Sequence, residues 1–227
     1  MEFLFVFAAT AVAALALREP LKRCPVAFYA LACAVVVVFL AGANGLLSGS
    51  WWKPAIVLVQ RCMVALSLFA VVMLIGALPK GGRLDAWLRP VRAELSIVAC
   101  ILCLGHMCMY LAPYAARAVA GTMGAPMLAS FVVAVVLFVL VLLLGVTSFG
   151  FVKQRMGGRT WKNVQRLAYP FFGLAWAHLM FMLAPAASKG GEQALASVVI
   201  YTMLFAFYLV LRLYRAYRDK RAGSLSA

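Results

Sequence analysis

Apolar residues arrive in long blocks separated by short polar linkers. One block runs from Phe3 to Leu17, and others cover about 25–47, 55–78, 93–115, 126–150, 167–186 and 194–212. All but the first reach the length that crosses a bilayer as helix. Hydrocarbon offers no partner to an open backbone, so each block is expected to be helical. The pattern predicts an all-α, polytopic transmembrane helix bundle of about seven spans. No 20-to-50-residue repeat is evident. Residues 1–24 read as an N-terminal extra segment with a basic loop, 25–213 as the membrane core, and 214–227 as a basic tail.

Charge orients the bundle. The linkers after alternate segments hold 17 of the 21 basic residues, starting with Arg18, Lys22 and Arg23 and ending with the group from Arg212 to Arg221. A second group comprises Lys80, Arg83, Arg89 and Arg92, and a third runs from Lys153 to Arg166. The opposite linkers hold Lys53, Arg117 and Lys189. The positive-inside rule places the basic face and the C-terminus in the cytoplasm. Seven spans then put the N-terminus outside. The first block has its charges after the apolar run, which favours an N-out anchor over a signal peptide. Trp51, Trp52 and Lys53 form an expected collar at the outer surface.

Composition agrees. Of 227 residues, 67% are hydrophobic and 12% charged, with a mean hydropathy of +1.02. A large soluble domain and extended disorder are excluded. The net charge of +15 belongs to membrane loops, because no nucleic-acid module is present. Six cysteines fall mostly in apolar segments, where a thiol acts as a small hydrophobe. Cys100 and Cys103 form a C-x-x-C without the directly following histidine of c-type haem attachment.

The chemistry concentrates in two histidines, His106 and His178. Each lies seven residues before a proline, Pro113 or Pro185, near an outer helix end. Counting from the prolines puts both roughly 10 Å deep. Two imidazoles at one depth on separate helices suit the axial ligands of one haem b, and neutral imidazole is a common metal ligand. The bland reading is a pair of buried histidines, each hydrogen-bonded to another helix. Zinc fits less well, since it takes four ligands and no carboxylate lies nearby. The acids sit at or near segment ends, which argues against a proton-relay pump.

Arg61 is the third polar group within an apolar block. Counted from Pro54 it also lies about 10 Å deep. An intramembrane cation calls for an anion, and no carboxylate is expected at that depth. Haem propionates would supply one; snorkelling to the headgroups is the alternative. Gly105 and Gly173 could admit a porphyrin or serve helix packing. Met107, Met109, Met180 and Met182 flank the histidines, as replacement ligands or, more simply, as core filling.

The segments "VQRCMVALSLFAVVMLIGAL", "RAELSIVACILCLGHMCMYL" and "LLLGVTSFGFVKQRMGGRTWKNVQRLAYPFFGLAWAHLMF" resemble successive parts of the MsrQ type of ferric-reductase-like membrane proteins. The resemblance covers about residues 25–213, and the first segment looks like an addition. It implies a haem b subunit passing electrons across the membrane to a periplasmic molybdenum enzyme that repairs oxidised methionine. His106, His178 and Arg61 match family positions, as do Gly158, Arg159 and Trp161 of the inner loop. Where the family typically has a third histidine near the cytoplasmic face, this chain has Gln165. The expectation is therefore one haem rather than two.

Electrons would come from quinol in the membrane or from a cytoplasmic flavin reductase. They would leave to an extracytoplasmic molybdenum enzyme or flavoprotein, with direct reduction of ferric iron as a variant. The chain has no dinucleotide-binding glycine motif in a soluble context, so any flavin or nicotinamide domain is expected on another chain. The competing class is a haem-free membrane scaffold or small-solute permease with structural histidines.

Overall fold

The computed structural model describes residues 2–79 and 82–224. Lys80 and residues 225–227 of the expected tail lie outside that range. The described residues form helices, in the order α1 (Glu2–Ala16), α2 (Arg18–Arg23), α3 (Pro25–Ala43), a π-helical turn (Ile56–Gln60), α4 (Met63–Ala77) and α5 (Arg83–Leu88). A single 3-10 turn, Arg89–Val91, leads into α6 (Arg92–Val119), followed by α7 (Ala125–Ser148), α8 (Gly150–Arg155), α9 (Gly158–Gln165), α10 (Ala168–Ala187) and α11 (Glu192–Ser224).

Five continuous helical runs are long and apolar enough to cross a membrane: Pro25–Ala43, Arg83–Val119, Ala125–Ser148, Gly158–Ala187 and Glu192–Arg221. Between 11% and 39% of each apolar stretch is buried, so most of its surface faces outward, where only lipid makes it favourable. The other two expected spans, α1 and α4, have 15 residues each. That gives roughly 22 Å of helix, short of the ~30 Å hydrocarbon core. The structure thus meets the length criterion in five places rather than seven.

Local chemistry explains the boundaries. Pro25 and Pro126 sit in the first turns of α3 and α7, where a missing N–H costs nothing. Gly121 (φ +67°) and Gly190 (φ +86°) take left-handed conformations in the α6–α7 and α10–α11 turns. Pro113 and Pro185 do not end their helices; both lie inside them. In a bilayer, the freed carbonyl one turn earlier finds other partners, so a proline is tolerated. Helix α11 carries on through the basic residues to Ser224, and positions 214–224 form its final turns.

The third apolar block is where the fold departs most from an unbroken helix. After the π-helical turn, Cys62 adopts φ +54°, the left-handed region that a non-glycine residue seldom takes. The segment therefore enters the bundle as a turn, breaks at Arg61–Cys62, and restarts as α4. Gly105 makes that entry possible. A Cβ there would lie 2.8 Å from Val36 on α3 and from Val59 in the turn. Gly173, by contrast, has open space around it. Helix packing, not porphyrin approach, accounts for Gly105.

The basic linkers gather at one end of the bundle. There Arg18 lies over the Trp87 ring at 5.0 Å, and buried Arg215 donates to the carbonyls of Gly76 and Leu78. Those two carbonyls are among the unpaired acceptors at the C-terminal end of α4, so Arg215 caps that helix. At the opposite end Trp52 covers Gly42. Gly105→Val is expected to lower stability by about 1–3 kcal/mol through overpacking, while Gly173→Ala leaves it nearly unchanged; thermal unfolding in detergent reads both.

Candidate functional site

His106 and His178 line one cavity of about 320 Å³, walled mainly by apolar and aromatic side chains of α6, α7 and α10. That volume is at the small end for a cofactor or ligand site, ~300–1,000 Å³. Arg61 and Cys62 border it from the helix break, and Tyr201 from α11. The three residues singled out in the sequence are thus neighbours of one space. Their common depth does not follow from the prolines. Measured to the helix ends, His106 lies 13 residues before Val119 and His178 nine before Ala187, which is roughly 20 Å and 14 Å.

Each imidazole is held through Nδ1. His106 Nδ1 is 2.7 Å from the Gln60 carbonyl oxygen, the last residue of the π-helical turn. The helix break releases that carbonyl from its own segment, and in hydrocarbon it must find a donor. The bond therefore sets the tautomer: Nδ1 carries the proton and Nε2 keeps its lone pair. His178 Nδ1 lies 2.9 Å from the Ser130 hydroxyl and 3.1 Å from the Ser130 carbonyl. Ser130 is 1% exposed, deep in the wall of α7. Both Nε2 atoms lack a hydrogen-bond partner among the described residues. An imidazole that lines a cavity and is anchored at one nitrogen has the form of a metal ligand with its outer support in place.

Sequence reasoning missed Gln60 and Ser130. The first acts through its backbone, which no residue pattern reveals. The second left a faint signal, a hydroxyl in the middle of the run "PMLASFVVAVV". Tyr110 was also overlooked. It receives a 3.2 Å hydrogen bond from Gln60 Nε2, sits 5.0 Å from the His106 ring, and continues to Tyr114 at 5.7 Å.

One expectation is overturned. Arg61 does have a protein anion: it pairs with Glu2 at the start of α1. The side chains are 50% and 73% exposed, so the cation is half-open rather than sealed in apolar surroundings. Such a pair contributes about 1 kcal/mol at most. Helix α1 is accordingly part of the cavity's surroundings, with Phe3 buried and 4.6 Å from Tyr201.

The flanking methionines divide. Met107 and Met182 line the cavity, while the Met180 sulfur accepts a 3.7 Å bond from Thr202. Cys100 and Cys103 are buried, and all six cysteines are unpaired. Among the described residues no three His, Cys, Asp or Glu side chains cluster as a metal site. Gln165 donates through Nε2 to Thr147 Oγ1 at 3.0 Å, and Trp161 donates to the Thr147 carbonyl at 2.9 Å. At the third-histidine position, then, the side chain ties α9 to the end of α7.

The sequence pattern of the ferric reductase like transmembrane component matches residues 61–176, about half of the chain. The chain belongs to that family. The matched region contains Arg61 and His106 and stops two residues before His178. The ferric-reductase-like chain is also 36% identical over 228 residues to an uncharacterised protein of Treponema pallidum, covering 99% of its own length and 63% of that protein. Over 89 residues it is 33% identical to the protein-methionine-sulfoxide reductase heme-binding subunit MsrQ of Ralstonia nicotianae, covering 39% of its own length and 38% of that subunit. It thus spans less than two thirds of either relative. No solved structure matches it.

A thiol-specific reagent such as a maleimide is expected to modify exposed Cys24 at the basic end of the bundle, and to reach Cys100 and Cys103 only after denaturation. Peptide mass spectrometry distinguishes the sites.

Proposed function

We propose that this ferric-reductase-like membrane protein is an electron-transfer subunit holding one haem b between His106 and His178. The observation that carries the reading is the shared arrangement of the two imidazoles: Nδ1 bound to protein, Nε2 free, both lining one apolar cavity. Structural histidines would also bond to another helix. They would not need a matched pair of unpartnered nitrogens at a common space. A haem would supply one-electron carriage between ferric and ferrous iron. The chain supplies two neutral ligands, a low-dielectric pocket and the Arg61–Glu2 pair at its edge, and these set the potential.

The donor is quinol in the membrane or a flavin reductase on the basic face. The acceptor is an extracytoplasmic reductase, and the similarity to a heme-binding subunit of a methionine-sulfoxide reductase favours a partner of that kind. In this reading all seven apolar helices are embedded in a bacterial inner membrane with the C-terminus cytoplasmic, and the π-helical turn extends α4 toward the outer surface. Gln165, committed to Thr147, leaves no inner histidine for a second haem.

Protein from haem-replete cells is expected to show a reduced b-type spectrum, at about one haem per chain. His106→Ala and His178→Ala should each abolish the bis-histidine spectrum while the polypeptide still inserts. Colourless wild-type protein, or unchanged spectra in both variants, would sink the proposal. Charge at the cavity edge gives a signed test. Removing a cation favours the ferric state, so Arg61→Gln should lower the midpoint potential, whereas Glu2→Gln should raise it. Redox titration followed by absorbance reads the two shifts.

A further inference from the structure

A second cleft lies at the basic end of the bundle, far along the helices from the histidine cavity. It measures about 200 Å³ and takes in Arg89 from the 3-10 turn, Arg92 from the start of α6, Arg212 and Arg215 from α11, and Gln165 and Tyr169 from the α9–α10 junction. Four guanidinium groups thus converge from segments more than a hundred residues apart in sequence. Like charges do not assemble in this way without compensation.

The protein compensates only two of them. Arg89 pairs with Asp85, and Arg215 pairs with Asp219 at 3.6 Å while donating to the Gly76 and Leu78 carbonyls. Among the described residues, Arg92 and Arg212 have no carboxylate partner. Arg212 stacks over the Tyr169 ring at 5.0 Å. The Arg92 guanidinium sits against Gly76, within 3.3 Å of where a Cβ would be, so the glycine makes room for it. Two uncompensated cations facing one polar cleft need an anion. Planar guanidinium forks match the paired oxygens of a phosphate.

The position decides the kind of phosphate. The cleft lies between membrane helices at the end carrying the basic linkers, and Met73 and Ala168 give it an apolar wall. Basic pockets so placed suit the headgroups of anionic lipids. We propose that Arg92 and Arg212 bind the phosphodiester of an acidic phospholipid, with Arg89 and Arg215 as supports, and that the bound lipid clamps the start of α6 to the end of α11.

The test uses the full-length protein in neutral detergent, titrated with mixed micelles containing phosphatidylglycerol or phosphatidylcholine, and separately with millimolar inorganic phosphate. Binding is read by native mass spectrometry and by thermal shift. Phosphatidylglycerol should bind at one copy per chain and raise the melting temperature, and phosphatidylcholine should do neither. The pair Arg92→Gln/Arg212→Gln should weaken binding roughly 30-fold, and Arg212→Gln alone, which spares buried contacts if the pair fails to fold, roughly fivefold. Exposed Arg218→Gln, at the same end but outside the cleft, should leave binding unchanged. Equal binding of the two lipids, or Arg218→Gln matching the loss in Arg212→Gln, overturns the site. A full thermal shift from inorganic phosphate alone overturns the lipid assignment.

Discussion

A backbone carbonyl in hydrocarbon must find a donor, and the arrangement of this protein's cavity follows from one that does. The break at Arg61–Cys62 leaves Gln60 at the end of a π-helical turn, and His106 meets its carbonyl at 2.7 Å. Hydrocarbon offers no water as a substitute partner, so there such a bond is obligatory in a way that a surface bond is not. It turns one ring nitrogen toward the broken segment and leaves the other for the cavity. Gly105, one residue earlier on α6, lets the broken segment come close enough for this contact. A left-handed Cys62, a glycine and a histidine on two segments are one device.

His178 reaches the same outcome differently. Its support is Ser130 on an intact helix, whose hydroxyl and carbonyl both lie near Nδ1. The two imidazoles are therefore held differently: one against a distorted backbone, the other against a side chain and carbonyl of regular helix. Were both to hold one metal, as proposed, that asymmetry would let each support be varied separately.

Much of this was legible in the amino-acid pattern. Apolar blocks announced the helices, and the alternation of basic linkers announced which ends come together. His106, His178 and Arg61 stood out because ionisable residues in such blocks are rare. What could not be read has physical causes. Prolines near helix ends suggested termini, but in a membrane neighbouring groups satisfy the freed carbonyl and the helix runs on past Pro113. The π-helical turn occupies a run, "IVLVQ", whose composition is that of any apolar helix. Glu2 looked like a residue at the edge of a separate segment; only tertiary packing brings it beside Arg61.

The Phe3–Tyr201 contact has a temporal side. Phe3 belongs to α1 and Tyr201 to α11, so their contact joins parts of the chain some two hundred residues apart. Helix α1 packs mainly on α4, which follows it closely in the chain, whereas its contact with Tyr201 must wait until α11 has been inserted. Contacts of such long sequence separation form late and slowly. The side of the cavity bordered by Tyr201 is therefore completed only when α11 arrives.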